Sequence, residues 1–388
     1  MRIQAKQVVI GMFMSLLMLA SAGDLVAIGG ALEPDNEAIY QAVIARASSD
    51  DPLICILGTA SSDPVSSAES YVSDFTSYGA DSTIIDITVD NAAEASYSDE
   101  VVSEVAGCHG FFFTGGDQRR ITEALLIEDG MDTPVMAAIR EQFEAGAVIA
   151  GTSAGAAMMS TVMISGGSSV DTLLGSEGTV TTEAGLGFVD SMILDQHFVE
   201  RGRFGRLIGA LAEAGLGMGA GIGENTALAI GDDGTLEVIG EGHVALITLI
   251  EEAEVDSLEV VSGVRISLLS HGDVVDETGT VTILTDRENT AEVGFYYDEG
   301  TIFAVDIFGP SVLADVLTQL VDSPEAEASG LAFAGAADAS FESDGVRVVF
   351  SKDETTQGYW GRVDGENYSV VNVLMVVEPI TVSVVPRE

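Results

Sequence analysis

Short apolar runs alternate with helix-like stretches over residues 25–194, and this alternation constrains the fold more than any other feature of the chain. The apolar runs lie at 25–28, 52–58, 82–88, 110–114, 147–151 and 191–194, with helical stretches at 36–47, 98–105, 119–127 and 134–145. A strand that is apolar throughout is buried on both faces, so the pattern predicts an α/β fold with a doubly wound, mostly parallel sheet. Sites in such sheets form at the carboxyl ends of strands.

One strand end carries a serine between glycines, in the segment Gly151-Thr152-Ser153-Ala154-Gly155. A sharp strand-to-helix turn of this kind displays a serine oxygen above the sheet and points the next backbone N–H, that of Ala154, toward a reacting carbonyl. The motif therefore predicts a nucleophile. A tight packing turn without catalytic use is the alternative.

A second polar cluster follows the run at 191–194 and contains His197. The other histidines, His109, His243 and His271, lack its acid, amide and guanidinium neighbours. His197 is the predicted general base for Ser153, and a histidine that only caps a helix is the alternative. A triad also needs an acid that orients the imidazole. Glu224, between glycines and an apolar run, is favoured over Asp171.

The chain has 62 acidic and 15 basic residues and a formal net charge of −47. Such a field repels nucleic acid, and no basic stripe offsets it. The 47% hydrophobic content argues against disorder. We expect a folded protein adapted to high salt, with a halophilic acidic surface.

Five of the thirteen arginines nevertheless cluster at 119–120 and 201–206. They suggest recognition of a substrate with free carboxylates, or else local neutralisation of the surface.

The N-terminus has the layout of a secretory signal peptide over residues 1–22. Arg2 and Lys6 precede an uncharged stretch at 8–20, which is short for a membrane span, and Ala20-Ser21-Ala22 precedes Gly23. We expect a secreted, periplasmic or cell-surface protein without a stable membrane anchor, although a retained anchor is the alternative.

No Cys/His metal spacing and no phosphate loop occur in the sequence, so no metal or nucleotide cofactor is predicted. Cys55 and Cys108, in apolar runs, are predicted to be buried thiols rather than a disulfide.

Four motifs in order resemble those of the cyanophycinase family: residues 112–121, with Gly115-Gly116 and Gln118, then 151–156, 195–206 and 223–227. That family groups with aspartyl dipeptidases among Ser-His-Glu peptidases on a flavodoxin-like, class I glutamine-amidotransferase-like fold. The resemblance implies a triad of Ser153, His197 and Glu224. It further implies oxyanion-hole N–H groups on Gly116 and Ala154 and substrate-binding side chains on Gln118, Asp195, Gln196, Arg201, Arg206 and, less directly, Arg203.

The implied activity is exo-hydrolysis of cyanophycin, a polyaspartate whose side chains carry arginine, to β-Asp-Arg dipeptides through an acyl-enzyme. An aspartyl or isoaspartyl dipeptidase and a catalytically silent surface-binding module are the alternatives. The resemblance covers residues 23–285, and residues 286–388 form a β-rich extension whose role the sequence leaves open. The oligomeric state is also open, with a homodimer among the alternatives.

Overall fold

The computed structural model describes residues 6–9, 22–176, 178–255, 261–284, 286–333, 341–361 and 367–384. The strands are β1 Lys6–Val9, β2 Leu25–Ile28, β3 Leu53–Leu57, β4 Asp81–Ile84, β5 Gly110–Phe113, β6 Val148–Thr152, β7 Val162–Gly166, β8 Thr181–Ala184, β9 Ile193–Gln196, β10 Met218–Ile222, β11 Thr226–Ile230, β12 Leu236–Gly240, β13 His243–Glu254, β14 Val261–Ser270, β15 Val274–Val275, β16 Thr280–Ile283, β17 Glu288–Asn289, β18 Ile302–Ala304, β19 Glu327–Phe333, β20 Phe341–Ser351, β21 Gln357–Gly361 and β22 Asn367–Val384. The helices are α1 Glu37–Ala45, α2 Pro64–Ser77, α3 Ala92–Ala95, α4 Asp99–Val105, α5 Gln118–Leu125, α6 Pro134–Glu144, α7 Ala154–Ala157, α8 Ser169–Leu174, α9 Phe204–Ala214, α10 Thr290–Val293 and α11 Val312–Val321, with a 3₁₀ turn at Glu128–Gly130.

The first sheet has a parallel half and an antiparallel half. Strands β2, β6, β5, β3 and β4 are parallel neighbours in that order. Beyond β2 the sheet continues through β11, β12, β15, β16 and β1, all paired antiparallel. The expected parallel core is therefore present, and it is extended by strands from later in the chain and by β1.

Alternation along the apolar strands explains how helices cover both faces of the parallel half. On β2, Leu25 and Ala27 pack into one core with residues of α4, α5 and α6, whereas Val26 and Ile28 pack into another with residues of α1 and α2. Capping side chains define where helices begin. Asp63 caps α2 and Thr133 caps α6, and each is followed by a proline, which suits the first helical position.

The second sheet is chiefly antiparallel and contains most of the β-rich C-terminal region. Its order is β18, β19, β20, β22, β14, β13, β10 and β9, with β21 pairing with both β22 and β17. Because β22 pairs with β14 over residues that include Val377 and Val261, strands from the C-terminal region share a sheet with strands of the preceding region. Strands β7 and β8 form a separate antiparallel pair. Helices α8, α9 and α11 pack in the core of this second sheet.

One strand lies in a different sheet from the one that its sequence pattern predicts. The run at 191–194 was expected in the parallel sheet, but β9 pairs with β10 in the second sheet. An apolar run specifies burial, and the pattern alone does not specify which neighbour a strand pairs with. The boundary of β4 also differs, since the strand ends at Ile84 although the apolar pattern continues to 88.

A disulfide joins Cys55 on β3 to Cys108, two residues before β5, with the Cα atoms 5.9 Å apart. The prediction of two free thiols was wrong. Both residues are buried, as their apolar surroundings indicate. The pairing arises because β3 and β5 are adjacent parallel strands, which brings positions 53 residues apart into contact.

Candidate active site

Ser153 occupies the turn between β6 and α7 with a backbone conformation of φ 54° and ψ −109°. A non-glycine residue rarely adopts this conformation, and such strain is concentrated at functional sites. The flanking glycines permit close packing. A Cβ on Gly151 would lie 2.4 Å from the Gly155 carbonyl oxygen, and one on Gly155 would lie 2.2 Å from the Phe113 oxygen. The packing of this turn therefore requires glycine at positions 151 and 155, on both sides of Ser153.

His197 directly follows β9, so the second sheet positions it beside a serine that the first sheet positions. Its Nε2 lies 2.9 Å from Ser153 Oγ. The side-chain oxygen of Gln196 is also near the serine, at 3.4 Å from Oγ. His197 itself has φ 46°, a second strained residue at the site. The serine hydroxyl can therefore donate its hydrogen to the imidazole.

Glu224 lies in the connection from β10 to β11, where the chain passes from the second sheet to the first. Its Oε1 is 2.5 Å from His197 Nδ1. The next residue, Asn225, has φ 49° and accepts a hydrogen bond from Asn36 Nδ2 at 2.9 Å, which fixes the connection. Asp171, the competing acid, is half-buried on α8, where Ser168 and Ser176 donate to its carboxylate. The structure thus brings Glu224, and not Asp171, to the histidine.

Three successive carbonyl groups at the end of β2 hold the three triad segments together. The carbonyl of Ile28 accepts from the Ser153 N–H at 2.9 Å, and that of Gly29 accepts from the His197 N–H at 2.7 Å. The carbonyl of Gly30 accepts from the Asn225 N–H at 2.8 Å. The sequence pattern indicates only a turn at Gly29-Gly30. Its position at a strand end, like that of Gly115-Gly116, is the signal that could have identified it as part of the site.

The environment of His197 favours the neutral imidazole. Burial is the largest cause that lowers its pKa, the hydrogen bond to Glu224 opposes this shift, and the positive charge of Arg201 adds to it. A neutral imidazole with Nδ1–H donating to Glu224 leaves Nε2 free to accept the serine proton. The three side chains are therefore arranged for nucleophilic catalysis by general base activation.

The loop at Gly115-Gly116 passes close to the serine. A Cβ on Gly115 would lie 3.3 Å from Ser153 Cβ, and Gly116, with φ 147°, packs so tightly that its Cβ would lie 2.0 Å from the Ala60 oxygen. The following Asp117 caps α5 and pairs with Arg119 at 2.7 Å. Gln118 is buried and donates to the Ile164 carbonyl at 2.6 Å.

The clustered arginines have three different environments. Arg206 is buried and makes two contacts with buried Asp195, Nε–Oδ2 at 2.8 Å and Nη2–Oδ1 at 2.5 Å. Arg203 donates to the Gln196 carbonyl at 2.5 Å, and burial is the main cause that lowers its pKa, to about 10. Arg201 is exposed. In the other arginine cluster, Arg120 donates to the Ser61 carbonyl at 2.8 Å.

A pocket of about 270 Å³, here called the arginine pocket, is lined by Arg201, Arg203, Arg206, residues 167–170, Gly202 and Phe308. Phe308 belongs to the C-terminal region, and sequence reasoning did not identify it. Its carbonyl oxygen packs where a Cβ on Gly202 would lie, at 2.1 Å, and its ring lies 4.5 Å from that of Phe204 between centroids. The C-terminal region therefore supports the loop that carries the arginines.

Among the described residues, no group of three or more histidine, cysteine, aspartate or glutamate side chains could hold a metal ion. In the same part of the chain, no helix is long and apolar enough to cross a membrane.

Comparisons with known proteins match the region that contains the site. The model of peptidase family S51 matches residues 25–238, which include Ser153, His197 and Glu224. The chain is 37% identical to the cyanophycinase of Nostoc sp. over 256 residues, covering 63% of this chain and 83% of the relative. It is 34% identical to the cyanophycinase of Geminocystis herdmanii over 256 residues, covering 63% and 90%. A solved peptidase from an acI-B1 Actinobacterium is 20% identical with a TM-score of 0.47, covering 66% of this chain and 98% of that one.

Proposed function

The chain belongs to peptidase family S51 and is a serine-type peptidase, and on this premise we propose that it is a secreted exopeptidase that hydrolyses cyanophycin to β-Asp-Arg dipeptides. The observation that carries the proposal is the chain of contacts from Ser153 Oγ to His197 Nε2, at 2.9 Å, and from His197 Nδ1 to Glu224, at 2.5 Å. The substrate follows from the relatives named cyanophycinase, which are 34–37% identical to the chain.

The proposed mechanism passes through an acyl-enzyme. Ser153 Oγ attacks the aspartyl backbone carbonyl while His197 Nε2 takes the hydroxyl proton, and Glu224 stabilises the resulting imidazolium at Nδ1. The imidazolium then gives its proton to the departing amine. A water molecule, deprotonated by the same histidine, then attacks the acyl-enzyme carbonyl. The bond to Ser153 Oγ breaks, the imidazolium returns the proton to Oγ, and the carboxylic acid product leaves, so that one water is consumed for each bond cleaved.

Backbone N–H groups stabilise the charge that develops on the substrate oxygen. Ala154 follows the nucleophile directly, and its N–H is the first of helix α7. Gly116 lies in the loop that contacts the serine through Gly115. We assign these two N–H groups to the oxyanion hole, since fixed donors at this place contribute more in the tetrahedral state than in the ground state.

We assign the arginine pocket to the free carboxylates of the substrate. Arg201 is exposed and Arg203 is half-buried, and both line the pocket, so we assign the carboxylate contacts to their guanidinium groups. Arg206 and Asp195 neutralise each other and position the strand end that carries Gln196 and His197. Gln118 would orient substrate through its carbonyl oxygen, because its amide nitrogen is engaged by Ile164.

Secretion is supported by the Cys55–Cys108 disulfide, because disulfides persist mainly in oxidising compartments. The charged and then apolar N-terminal stretch supports it further, and removal of residues 1–22 would leave the mature protein without β1 at the edge of the first sheet. Adaptation to high salt is supported by the formal net charge of −47, whose self-repulsion is screened over about 3 Å at 1 M salt. Circular dichroism during dilution from high salt tests this adaptation, because full retention of structure in dilute buffer would contradict it.

Parallel assays with cyanophycin and with a short isoaspartyl dipeptide test the proposed substrate. Purified protein is incubated with each in high salt, and new amino groups are quantified over time. We expect turnover of the polymer, with dipeptides as the first soluble products. Turnover of the isoaspartyl dipeptide alone would support the dipeptidase function, and binding of polymer without turnover would support a silent binding module.

A further inference from the structure

The C-terminal region exposes an unusual concentration of large apolar side chains in the segment 293–305, here called the aromatic segment. Ten large hydrophobic residues are exposed in the described part of the chain, and six of them lie in this segment: Val293, Phe295, Tyr296, Tyr297, Phe303 and Val305. Tyr296 is 80% exposed and Phe303 is 49% exposed. Clusters of exposed apolar groups on a folded protein mark interaction sites.

The backbone of the aromatic segment is anchored, so its rings are presented by a defined surface. Asp322 accepts hydrogen bonds from the N–H groups of Tyr296, through its carboxylate, and of Tyr297, through its carbonyl, both at 3.0 Å. Glu325 accepts from the Gly300 N–H at 2.8 Å. The segment then continues into β18, the edge strand of the second sheet, which carries Phe303.

The charges of the segment suit a cationic ligand. Asp298 and Glu299 follow Tyr297 directly in the chain and are exposed. The chain has only two lysines, and one of them, Lys352, places its Nζ 5.2 Å from the ring centroid of Phe295. This surface therefore already holds one cation over an aromatic face. Guanidinium groups make the same contact and also stack flat on aromatic rings.

A concave surface borders the segment where it enters β18. A pocket of about 350 Å³ there is lined by Thr301, Ile302, Glu325, Glu327 and Arg347, among others. The positive charge of Arg347 is paired with Glu378 at 3.5 Å. The carboxylates of Glu325 and Glu327 add further acceptors for guanidinium N–H groups beside the rings.

We propose that the aromatic segment is a second binding surface, separate from the residues that contact Ser153, His197 and Glu224, that holds arginine side chains of cyanophycin. This inference rests on the proposed function for the identity of the polymer. A polymer with many guanidinium groups can engage the segment and the active site together, which raises the local concentration of cleavable ends. Stacking acts at short range, so it persists at salt concentrations that screen the long-range attraction.

The test measures binding to insoluble cyanophycin without hydrolysis, in the Ser153→Ala background. Tyr296→Ala and Phe303→Ala are combined, because both side chains are exposed and neither belongs to a buried core. Tyr97→Ala is the matched control, since Tyr97 is 50% exposed in the region that the family model matches. Co-sedimentation gives the bound fraction, and thermal melts verify that each variant is folded.

Loss of two stacking contacts is expected to weaken co-sedimentation about 5- to 30-fold, with the Tyr97 variant unchanged and soluble polyarginine competing for the wild-type surface. Equal sedimentation of the double variant and the control would overturn the inference. A wild-type dimer that becomes monomeric in the double variant would also overturn it, because the segment would then bind a second copy of the chain. Failure of the proposed function has a separate readout, namely no dipeptide release from cyanophycin by the protein with Ser153 intact.

Discussion

The imidazole of His197 lies against the backbone of Gly30, so closely that a Cβ on Gly30 would be 2.3 Å from Cε1 and 2.4 Å from Nε2. Gly30→Ala must therefore displace the imidazole of His197, the proposed general base. We expect a loss in kcat of about 100-fold or more, because a displacement of about 1 Å in a catalytic group has this effect.

Gly79→Ala is the matched control for this change. Gly79 also has a positive φ, 94°, but a Cβ there would meet nothing within 4 Å, whereas Gly30 has φ 115°. Both variants carry similar backbone strain, and only one contacts the histidine. Steady-state kinetics and melting temperatures are measured together. An active Gly30→Ala enzyme would show that His197 is not held as described.

The identity of the triad acid is tested by Glu224→Gln and Asp171→Asn. Gln at 224 keeps the shape but removes the charge that stabilises imidazolium, so we expect kcat to fall roughly 10³- to 10⁴-fold. Among the described residues, the hydroxyl groups of Ser168 and Ser176 donate hydrogen bonds to the Asp171 carboxylate. Its replacement should leave kcat within about twofold of wild type, as for ordinary surface changes. A large loss for Asp171→Asn would contradict the assignment of Glu224.

Removal of the Arg206 side chain should lower stability, whereas removal of the Arg201 side chain should weaken substrate binding. Arg206→Ala leaves the buried carboxylate of Asp195 without its main partner, and this costs about 3–5 kcal/mol of stability. Arg201→Ala removes an exposed group, so the melting temperature should stay the same while KM rises about tenfold or more, as expected for a lost charge-assisted hydrogen bond. Calorimetry and kinetics on both variants provide the test. A stable Arg206→Ala protein with raised KM would instead assign Arg206 to direct substrate binding.

The pH dependence of kcat/KM reports the protonation of His197 in the free enzyme. The imidazolium cannot accept the serine proton, so activity is lost as pH falls through the pKa of His197. Since burial lowers that pKa from its ordinary value of 6.5, the acid limb should have its midpoint below pH 6.5. Arg201→Gln removes a charge that lowers the pKa, so its midpoint should move upward. A wild-type midpoint above 6.5, or no shift in the variant, would contradict this electrostatic description.

The disulfide should stabilise the folded protein, because the loop that it closes restricts the conformations of the unfolded chain. For a separation of 53 residues, the loss of unfolded-state entropy corresponds to about 4 kcal/mol. Cys55→Ala with Cys108→Ala should lower the midpoint of guanidinium unfolding accordingly, with the m-value monitored for changes in the unfolded state. Reducing agent should destabilise the wild-type protein and leave the double variant unaffected. An unchanged midpoint after reduction would show that the bond is not formed in solution.

Much of the parallel half of the first sheet follows from local sequence. The runs around Ile54, Phe112 and Ile149 are apolar at every position, and this pattern specifies both burial and strand type. The turn at Ser153 can also be predicted from the sequence, because its flanking glycines stand where the structure leaves no room for a side chain.

Long-range pairing is what the sequence does not specify. The residues in and around β9 do not indicate whether this strand pairs in the first sheet or with β10 in the second. Likewise, the residues around Cys55 do not indicate that Cys108 is its disulfide partner. The role of Gly30 depends on the ring of His197, which is far away in the chain. Likewise, the support that Phe308 gives to Gly202 appears only once the C-terminal region is packed against the arginine loop.

The most direct test of the proposed function is incubation of the wild-type protein and its Ser153→Ala variant with cyanophycin in high salt, with soluble products identified by mass spectrometry. We expect release of β-Asp-Arg by the wild type and none by the folded variant, because Ser153 Oγ, beside His197 Nε2, is the proposed nucleophile. Equal release by both proteins, or no release by a folded wild type, would contradict it.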